Sequence, residues 1–222
     1  MMSSTAMVFV IDDDQPIRKS LERLLDAACY KVELFQSASE FLSRSAHAGP
    51  SCVIVDVRMP ELNGIDFQKA LIEGGREEQL VFITGHGDVP MCAKAMKAGA
   101  VDFLPKPFKS KQLLESVERA LTRSAEQRRR ESEKNHAGGL LEQLTPREHQ
   151  VMQLVATGML NKQVGAELGM AEKTVKTHRA HMMQKLGITS VAELMGVLQR
   201  AEVPAVVRPG TKVSLRFANP RR

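Results

Sequence analysis

Short apolar runs alternate with segments of helical periodicity through the first half of the chain. Apolar side chains recur every three or four residues at Ile17, Leu21, Leu24 and Leu25, which indicates an amphipathic helix. Runs of four or five mainly apolar residues predict strands that end near Ile11, Phe35, Asp56, Thr84 and Leu104. Strands alternating with helices predict a doubly wound (βα)5 domain with a parallel sheet, which we place at residues 1–121.

The second part of the chain has helical periodicity without strand-like runs. Thr145, Pro146 and Glu148 predict a helix start, with Thr145 as N-cap, a proline in the first turn and Glu148 completing a capping box. Helices are also predicted from about Asn161, Glu172 and Val191, with Gly169 in a tight turn. We therefore predict an all-α four-helix domain at residues 140–203, containing a helix-turn-helix.

Two segments lie outside these domains. Residues 122–139 begin with good helix formers, so we predict a helical extension that ends near Gly138 and Gly139, followed by a flexible joint. The arginines at positions 128–130 are expected to form a solvated face of this linker. Residues 204–222 contain prolines, a glycine and five basic residues, and they are predicted to form an irregular basic tail.

Charge is distributed unevenly along the chain, whose formal net charge is +5. Residues 1–122 carry three more acidic than basic residues, whereas residues 140–222 carry six more basic than acidic residues. A basic C-terminal domain is a candidate for binding a polyanion such as nucleic acid. A solvated basic surface without a partner would have the same composition.

The composition also bears on the cellular compartment. No apolar run approaches the ~18 residues of a membrane span, and the N-terminus does not resemble a signal peptide. The three cysteines, Cys29, Cys52 and Cys92, form no C-x-x-C pair. Cys52 and Cys92 lie in apolar surroundings and are expected to be buried thiols, as in a reducing cytosol. We expect a cytoplasmic protein with no membrane partner.

Polar residues stand where four of the predicted strands end. Asp12 and Asp13 follow the first strand, Asp56 ends the third, Thr84 ends the fourth and Lys106 follows the fifth. Because the carboxyl ends of parallel strands share one edge of the sheet, we expect these side chains to lie close together. Clustered carboxylates favour Mg²⁺, which would leave one carboxylate free to attack a phosphoryl group. Asp56 is the best candidate nucleophile, because it lies on the central strand.

Each of these residues also has an ordinary structural interpretation. A single aspartate at a strand end is usually a turn or cap residue, and the acidic pair could belong to a helix N-cap, since Asp14 precedes Pro16. These interpretations explain each residue singly. They do not explain why all five groups stand at the ends of predicted strands, which chance rarely produces.

Four segments, at residues 11–14, 55–60, 83–87 and 103–108, resemble the receiver domains of response regulators, particularly the FixJ branch. The resemblance extends over residues 7–121. It implies that a sensor histidine kinase phosphorylates Asp56. It implies that Mg²⁺ is bound by Asp13, by Asp56 and by the main-chain carbonyl of Arg58, with Asp12 helping through water. It also implies a Thr84–Phe103 switch and a cis bond between Lys106 and Pro107.

The second helix of the helix-turn-helix combines an apolar stripe with basic and hydrogen-bonding residues. Val175, Met182 and Leu186 are predicted to be buried, which leaves Lys173 and Lys176 outside or beside that stripe. An exposed basic helix suits the major groove of DNA. An ordinary four-helix bundle with a solvated basic face is the alternative.

Residues 140–203 resemble the LuxR-type DNA-binding domain. The resemblance implies that Lys176 and Thr177 point at bases. Further implied contacts to phosphates or bases are Lys162, Lys173, Thr174, His178, Arg179 and Lys185. Ala171 stands where the family often has a serine as the N-cap of the second helix. The missing side-chain hydrogen bond should lower stability by about 1 kcal/mol.

The last helix is implied to pair two domains across inverted half-sites of DNA. Its residues Leu194 and Leu198, spaced i, i+4, are then expected to be exposed. If the helix only completes a bundle core, both leucines are buried instead.

Together the two resemblances identify the chain as a member of the NarL/FixJ family of two-component response regulators. The family implies a homodimer when phosphorylated, binding to double-stranded DNA, contact with RNA polymerase and activation of transcription. A receiver that acts only on protein partners is one alternative. An aspartyl phosphatase is another, but those enzymes place a second aspartate two residues after the nucleophile, where this chain has Arg58.

Overall fold

The protein is described by a computed structural model, which covers residues 6–85 and 89–203. The chain divides into two compact units, Met1–Arg129 and Arg130–Arg222. The predicted tail at 204–222 and part of the 83–87 segment lie outside the described residues.

The first unit alternates strands and helices in chain order. Its elements are β1 Met7–Ile11, α1 Gln15–Ala27, β2 Lys31–Phe35, α2 Ala38–Ser43, β3 Ser51–Asp56, α3 Gly64–Glu73, β4 Gln79–Thr84, α4 Val89–Lys97, β5 Asp102–Pro105 and the start of α5 Ser110–Glu142.

The five strands form one parallel sheet in the order β2-β1-β3-β4-β5. Alternate residues of each strand point to opposite faces. On β1, Phe9 packs in a core with α2, α3 and α4, whereas Val8 and Val10 pack in a second core with α1 and α5. Helices therefore cover both faces, and the predicted doubly wound (βα)5 fold is confirmed, with the strand order of flavodoxin-like proteins.

The second unit is all-helical. After the end of α5 it contains α6 Pro146–Ala156, α7 Asn161–Leu168, α8 Glu172–Leu186 and α9 Val191–Arg200. Thr145 and Glu148 form the predicted capping box at the start of α6, and Ser190 caps α9. Val175, Met182 and Leu186 are buried, as their spacing predicts.

Helix α5 differs from the sequence prediction. It continues through Gly138 and Gly139 and ends at Glu142. Ala137 and Leu141 are buried in the core of the second unit, and this packing offsets the low helix propensity of two glycines. In the first half of the predicted linker, Arg128 is partly buried and donates to the carbonyl oxygens of His47 and Ala48, so it is not part of a solvated face.

Two further predictions are corrected. Leu194 and Leu198 of α9 are buried, at 1% and 4% exposure, so the bundle-core interpretation holds for both side chains. Cys52 is buried as expected, but Cys92 is only partly buried and Cys29 is exposed. Within the described residues, no helix is both long and apolar enough to cross a bilayer.

Candidate functional site

An ammonium group joins two carboxylates at the carboxyl edge of the sheet. Lys106 Nζ lies 2.8 Å from Asp12 Oδ2 and 2.7 Å from Asp56 Oδ1. The neighbouring strands β1 and β3, paired in register, bring the two aspartates together. The main-chain N–H of Lys106 donates to the Thr84 carbonyl at 2.7 Å, which places the lysine beside β4. Three of the five predicted side chains, those of Asp12, Asp56 and Lys106, therefore meet at this edge, and Thr84 contacts Lys106 through its main chain.

The remaining carboxylate oxygens of this cluster accept main-chain hydrogen bonds. Asp56 Oδ2 accepts from the N–H of Arg58 at 2.6 Å, and Asp12 Oδ1 accepts from the N–H of Asp14 at 2.9 Å. Both carboxylates are buried, with 6% of Asp56 and 1% of Asp12 exposed. The bonds fix the orientation of each carboxylate plane.

Burial and pairing act in opposite directions on these charges. Burial raises the pKa of Asp12, and the hydrogen bond from Lys106 only partly opposes that rise. For Lys106, burial favours the neutral amine, but hydrogen bonds to the two carboxylates outweigh it and raise the pKa of the ammonium. Lys106 is therefore charged at neutral pH, and one positive charge faces two buried acidic groups.

The expected metal ligands supply only oxygen atoms. Asp13 follows Asp12 directly and is exposed, and Arg58 lies two residues beyond Asp56. Among the described residues, no group of three or more His, Cys, Asp or Glu side chains is arranged to hold a metal ion. Mg²⁺ is commonly held by one or two carboxylates together with waters and phosphate oxygens. Asp13, Asp56 and the main-chain carbonyl of Arg58 would offer oxygen donors of that kind, with Asp12 next to Asp13 in the chain.

The predicted switch residues lie on the adjacent strands β4 and β5. Thr84 ends β4 and is 1% exposed, and Phe103 lies opposite Phe82 in the β4–β5 ladder. The ring centroids of Phe82 and Phe103 are 6.0 Å apart. Phe103 is partly buried against the core that contains α4.

Two further predictions concern the loops that flank the site. The Lys106–Pro107 peptide bond is cis, as the receiver resemblance implies. Asp14 is the N-cap residue of α1, but its side chain makes no capping hydrogen bond. The Asp12 carboxylate binds the Lys106 ammonium and accepts a hydrogen bond from the Asp14 N–H. A role of Asp12 and Asp13 as a helix cap therefore does not explain the contact of Asp12 with Lys106.

The helix-turn-helix depends on two glycines. Gly169 ends α7 with φ +64, in the left-handed region that favours glycine. Gly165, inside α7, packs so closely that a Cβ there would lie 2.6 Å from the carbonyl oxygen of Met170. Ala171, the N-cap of α8, makes no side-chain capping bond, as expected from the missing serine.

Most predicted DNA-contacting residues lie on the surface of the second unit. The exposed residues are Lys162, Lys173, Thr174, Lys176 and Thr177, and the partly buried residues are His178, Arg179 and Lys185. Lys176 pairs with Glu172 at 3.2 Å, in an exposed contact one turn apart. Arg179 donates to Asn161 Oδ1 at 3.0 Å, which ties α8 to the start of α7. Asn161 was not predicted as a site residue, because it lies 18 positions from Arg179 in the chain and no local pattern links the two.

Lys185 has a different environment. Its Nζ lies 2.7 Å from Glu148 Oε2 and 3.2 Å from the carbonyl oxygen of Gln143. Glu148 is 3% exposed and also accepts a hydrogen bond from the N–H of Thr145. Burial favours the neutral acid, but the bonds from Lys185 and Thr145 outweigh it and lower the pKa of Glu148 to about 2. The capping box predicted Glu148 as a cap but gave no signal of its pairing with Lys185.

Comparison with known proteins agrees with this geometry. Residues 8–118 match the family described as response regulator receiver domain, and residues 142–198 match bacterial regulatory proteins, luxR family. Nodulation protein W of Bradyrhizobium diazoefficiens is 45% identical over 205 residues, covering 91% of this chain and 89% of that protein. Response regulator protein TodT of Pseudomonas putida is 40% identical over 200 residues, covering 90% and 88%.

A solved structure supports the same assignment. A low-resolution structure of the response regulator StyR is 43% identical, covers 88% of this chain and 99% of that chain, and has a TM-score of 0.81. Its match, like those of the curated relatives, extends over both units. Both matched families are of regulatory proteins, and the relatives include transcriptional regulatory proteins named FixJ, so the phosphatase alternative is not supported. The chain belongs to the NarL/FixJ family of two-component response regulators, with a receiver domain and a LuxR-type DNA-binding domain that regulate transcription.

Proposed function

We propose that a sensor histidine kinase phosphorylates Asp56 and that this phosphorylation controls DNA binding by the second unit. The observation that carries the proposal is the contact of Lys106 with both Asp56 and Asp12. An ammonium group already hydrogen-bonded to the nucleophilic carboxylate is placed to balance the charge of an incoming phosphoryl group. In the transfer, an oxygen of Asp56 bonds to phosphorus as the phosphorus–nitrogen bond of phosphohistidine breaks, and the imidazole takes up a proton.

Mg²⁺ is the proposed cofactor. The residues that would hold it are Asp13, Asp56 and the carbonyl of Arg58, with Asp12 acting through water. The ion would neutralise charge where phosphoryl oxygens meet buried carboxylates. Lys106 and the Arg58 N–H meanwhile keep the Asp56 carboxylate oriented.

The proposed switch uses Thr84 and Phe103. A phosphoryl group on Asp56 offers acceptor oxygens to the Thr84 hydroxyl, at the end of the neighbouring strand. Movement of Thr84 toward them vacates space into which Phe103 turns, and the surface formed by α4 and β5 changes. We propose that this surface then forms a homodimer.

The proposed DNA site is an inverted repeat, bound by one helix-turn-helix from each protomer in the cytoplasm. Lys176 and Thr177 would face bases, as the LuxR-type resemblance implies, and both are exposed on α8. Phosphate or further base contacts are proposed for Lys162, Lys173, Thr174, His178 and Arg179. For Lys185 we propose a structural role in place of the predicted DNA contact, since its ammonium holds buried Glu148. Binding is proposed to recruit RNA polymerase and to activate transcription.

Intact mass spectrometry tests the phosphorylation step. The chain is incubated with Mg²⁺ and acetyl phosphate, alongside Asp56→Asn, which removes the nucleophile, and Asp66→Asn, an exposed aspartate on α3, as a control. We expect a phosphoryl adduct in the wild type and in the control only. An adduct in Asp56→Asn would exclude Asp56 as the sole acceptor. Adducts absent from all three proteins would contradict phosphorylation from this donor.

A further inference from the structure

Arg18 contacts the loop that carries two of the proposed metal ligands. The loop, residues 12–14, joins β1 to α1, and Arg18 lies one turn into α1. Its Nη1 donates a hydrogen bond to the main-chain carbonyl oxygen of Asp12. No motif singled out Arg18 in the sequence, because the contact joins a side chain to a backbone atom.

The other polar groups of Asp12 bind partners other than Arg18. The main-chain N–H of Asp12 donates to the Phe35 carbonyl at 3.3 Å, and its two carboxylate oxygens accept from Asp14 and Lys106. The side chain of Asp14 makes no capping bond at the start of α1. Arg18 therefore supplies a side-chain contact from α1 to a loop that has no side-chain cap.

Peptide geometry converts this contact into an effect on Asp13. In a trans peptide the carbonyl of Asp12 and the N–H of Asp13 point in opposite directions within one plane. Fixing the carbonyl toward Arg18 therefore fixes the direction in which the chain enters Asp13. Asp13 is exposed, so few neighbours otherwise restrict its carboxylate.

We propose that Arg18 is a positioning residue for the divalent cation, holding the Asp12–Asp13 peptide so that the Asp13 carboxylate faces the ion. This inference rests on the proposed function, in which Asp13 and Asp56 hold Mg²⁺. If Arg18 positions Asp13, its removal should weaken metal binding, whereas a role through charge alone predicts tighter binding. A guanidinium near the site repels a cation, so its removal would tighten metal binding if it acted only electrostatically.

Lys19 provides a matched control. It is the next residue of α1, is exposed, and lines the same 330 Å³ cleft as Arg18, together with Gln36 and Glu40. Lys19→Met removes the same unit of charge from the same helix but no contact to the Asp12 carbonyl. Because this cleft is open and polar, Arg18→Met is expected to leave the domain folded.

Binding of Mn²⁺ to the full chain, in the absence of any phosphoryl donor, is the test. Free Mn²⁺ is measured by electron paramagnetic resonance during a titration, and competition with Mg²⁺ gives the affinity for Mg²⁺. Arg18→Met should weaken binding about five-fold, the effect of losing one hydrogen bond of ordinary strength. Arg18→Lys should recover part of that loss, and Lys19→Met should bind as tightly as the wild type or slightly more tightly.

The outcomes separate this inference from the proposed function. Unchanged or tighter binding by Arg18→Met, with normal wild-type binding, would overturn the positioning role alone. Absence of wild-type binding would overturn the metal site itself, and with it the role of Arg18. Thermal unfolding without metal must be the same for Arg18→Met and Lys19→Met. A large difference there would assign Arg18 to stability and contradict the proposal.

Discussion

The pair formed by Glu148 and Lys185 predicts a defined dependence of stability on pH. Glu148 has a pKa of about 2 in the folded chain, against 4.5 for an ordinary glutamate. A shift of this size corresponds to about 3 kcal/mol of stabilisation at neutral pH. The Lys185 side chain is 35% exposed, so solvent screening reduces the figure, and we expect about 1–2 kcal/mol.

The direction of the pH effect follows from the sign of this shift. A depressed folded-state pKa means that the stabilisation is fully present above pH 4.5. It is lost as the pH falls from 4.5 toward 2, because the unfolded chain takes up its proton first. In Glu148→Gln the group no longer titrates, so this contribution disappears from the pH profile.

Urea unfolding followed by circular dichroism measures the difference. At pH 7, Glu148→Gln should unfold with about 1–2 kcal/mol less free energy and an unchanged m-value, because only one pair is lost. Between pH 5 and pH 3 the difference from the wild type should shrink. Glu142→Gln, an exposed glutamate at the end of α5, is the control and should change little. Equal stability at pH 7, or a difference independent of pH, would refute the reasoning.

A comparison of Lys185 with Lys162 tests which lysine is structural and which contacts DNA, as proposed above. Each phosphate contact contributes about −0.9 to the slope of log affinity against log salt concentration. Lys185→Met should lower stability but leave that slope unchanged, whereas Lys162→Met should reduce its magnitude by about one contact. A reduced slope for Lys185→Met would restore the DNA contact predicted from the sequence.

Two further substitutions test the architecture of the second unit. Gly165→Ala should destabilise it by about 1–3 kcal/mol and weaken DNA binding in a gel-shift assay, because the new Cβ would lie 2.6 Å from the Met170 carbonyl; unchanged stability would contradict this close packing. Leu141→Ala should cost about 2–4 kcal/mol in urea unfolding, since Leu141 is buried in that core; a negligible effect would show that the end of α5 does not belong to the second unit.

Features that depend on local pattern were predictable from the sequence. Strand-like runs and helical periodicity gave the order of elements, because the alternation of buried faces is set by side-chain spacing. The convergence of Asp12, Asp56, Thr84 and Lys106 followed from one topological fact, that parallel strands end at one edge. The capping box at Thr145 and Glu148 needed only four residues of sequence.

Features that depend on tertiary packing were not predictable. Two adjacent glycines suggested an end to α5, but burial of Ala137 and Leu141 on the same helix keeps it intact. The spacing of Leu194 and Leu198 defines a face of α9, yet whether that face is buried depends on helices far away in the chain. Contacts such as Arg18 with the Asp12 carbonyl carry no sequence pattern.

The balance of charge differs between the sites of Lys106 and Lys185. The Lys185 ammonium faces one buried carboxylate, that of Glu148, so the two charges cancel. Hydrogen bonds from Lys185 and Thr145 lower the pKa of Glu148. Lys106 faces two buried carboxylates, and the pKa of Asp12 rises because one ammonium does not offset its burial. A buried carboxylate matched by one ammonium needs no further charge, whereas two buried carboxylates that face one ammonium favour a further cation or a change at one carboxylate. That imbalance, more than the presence of aspartates or lysine alone, favours the sheet edge as the reactive site.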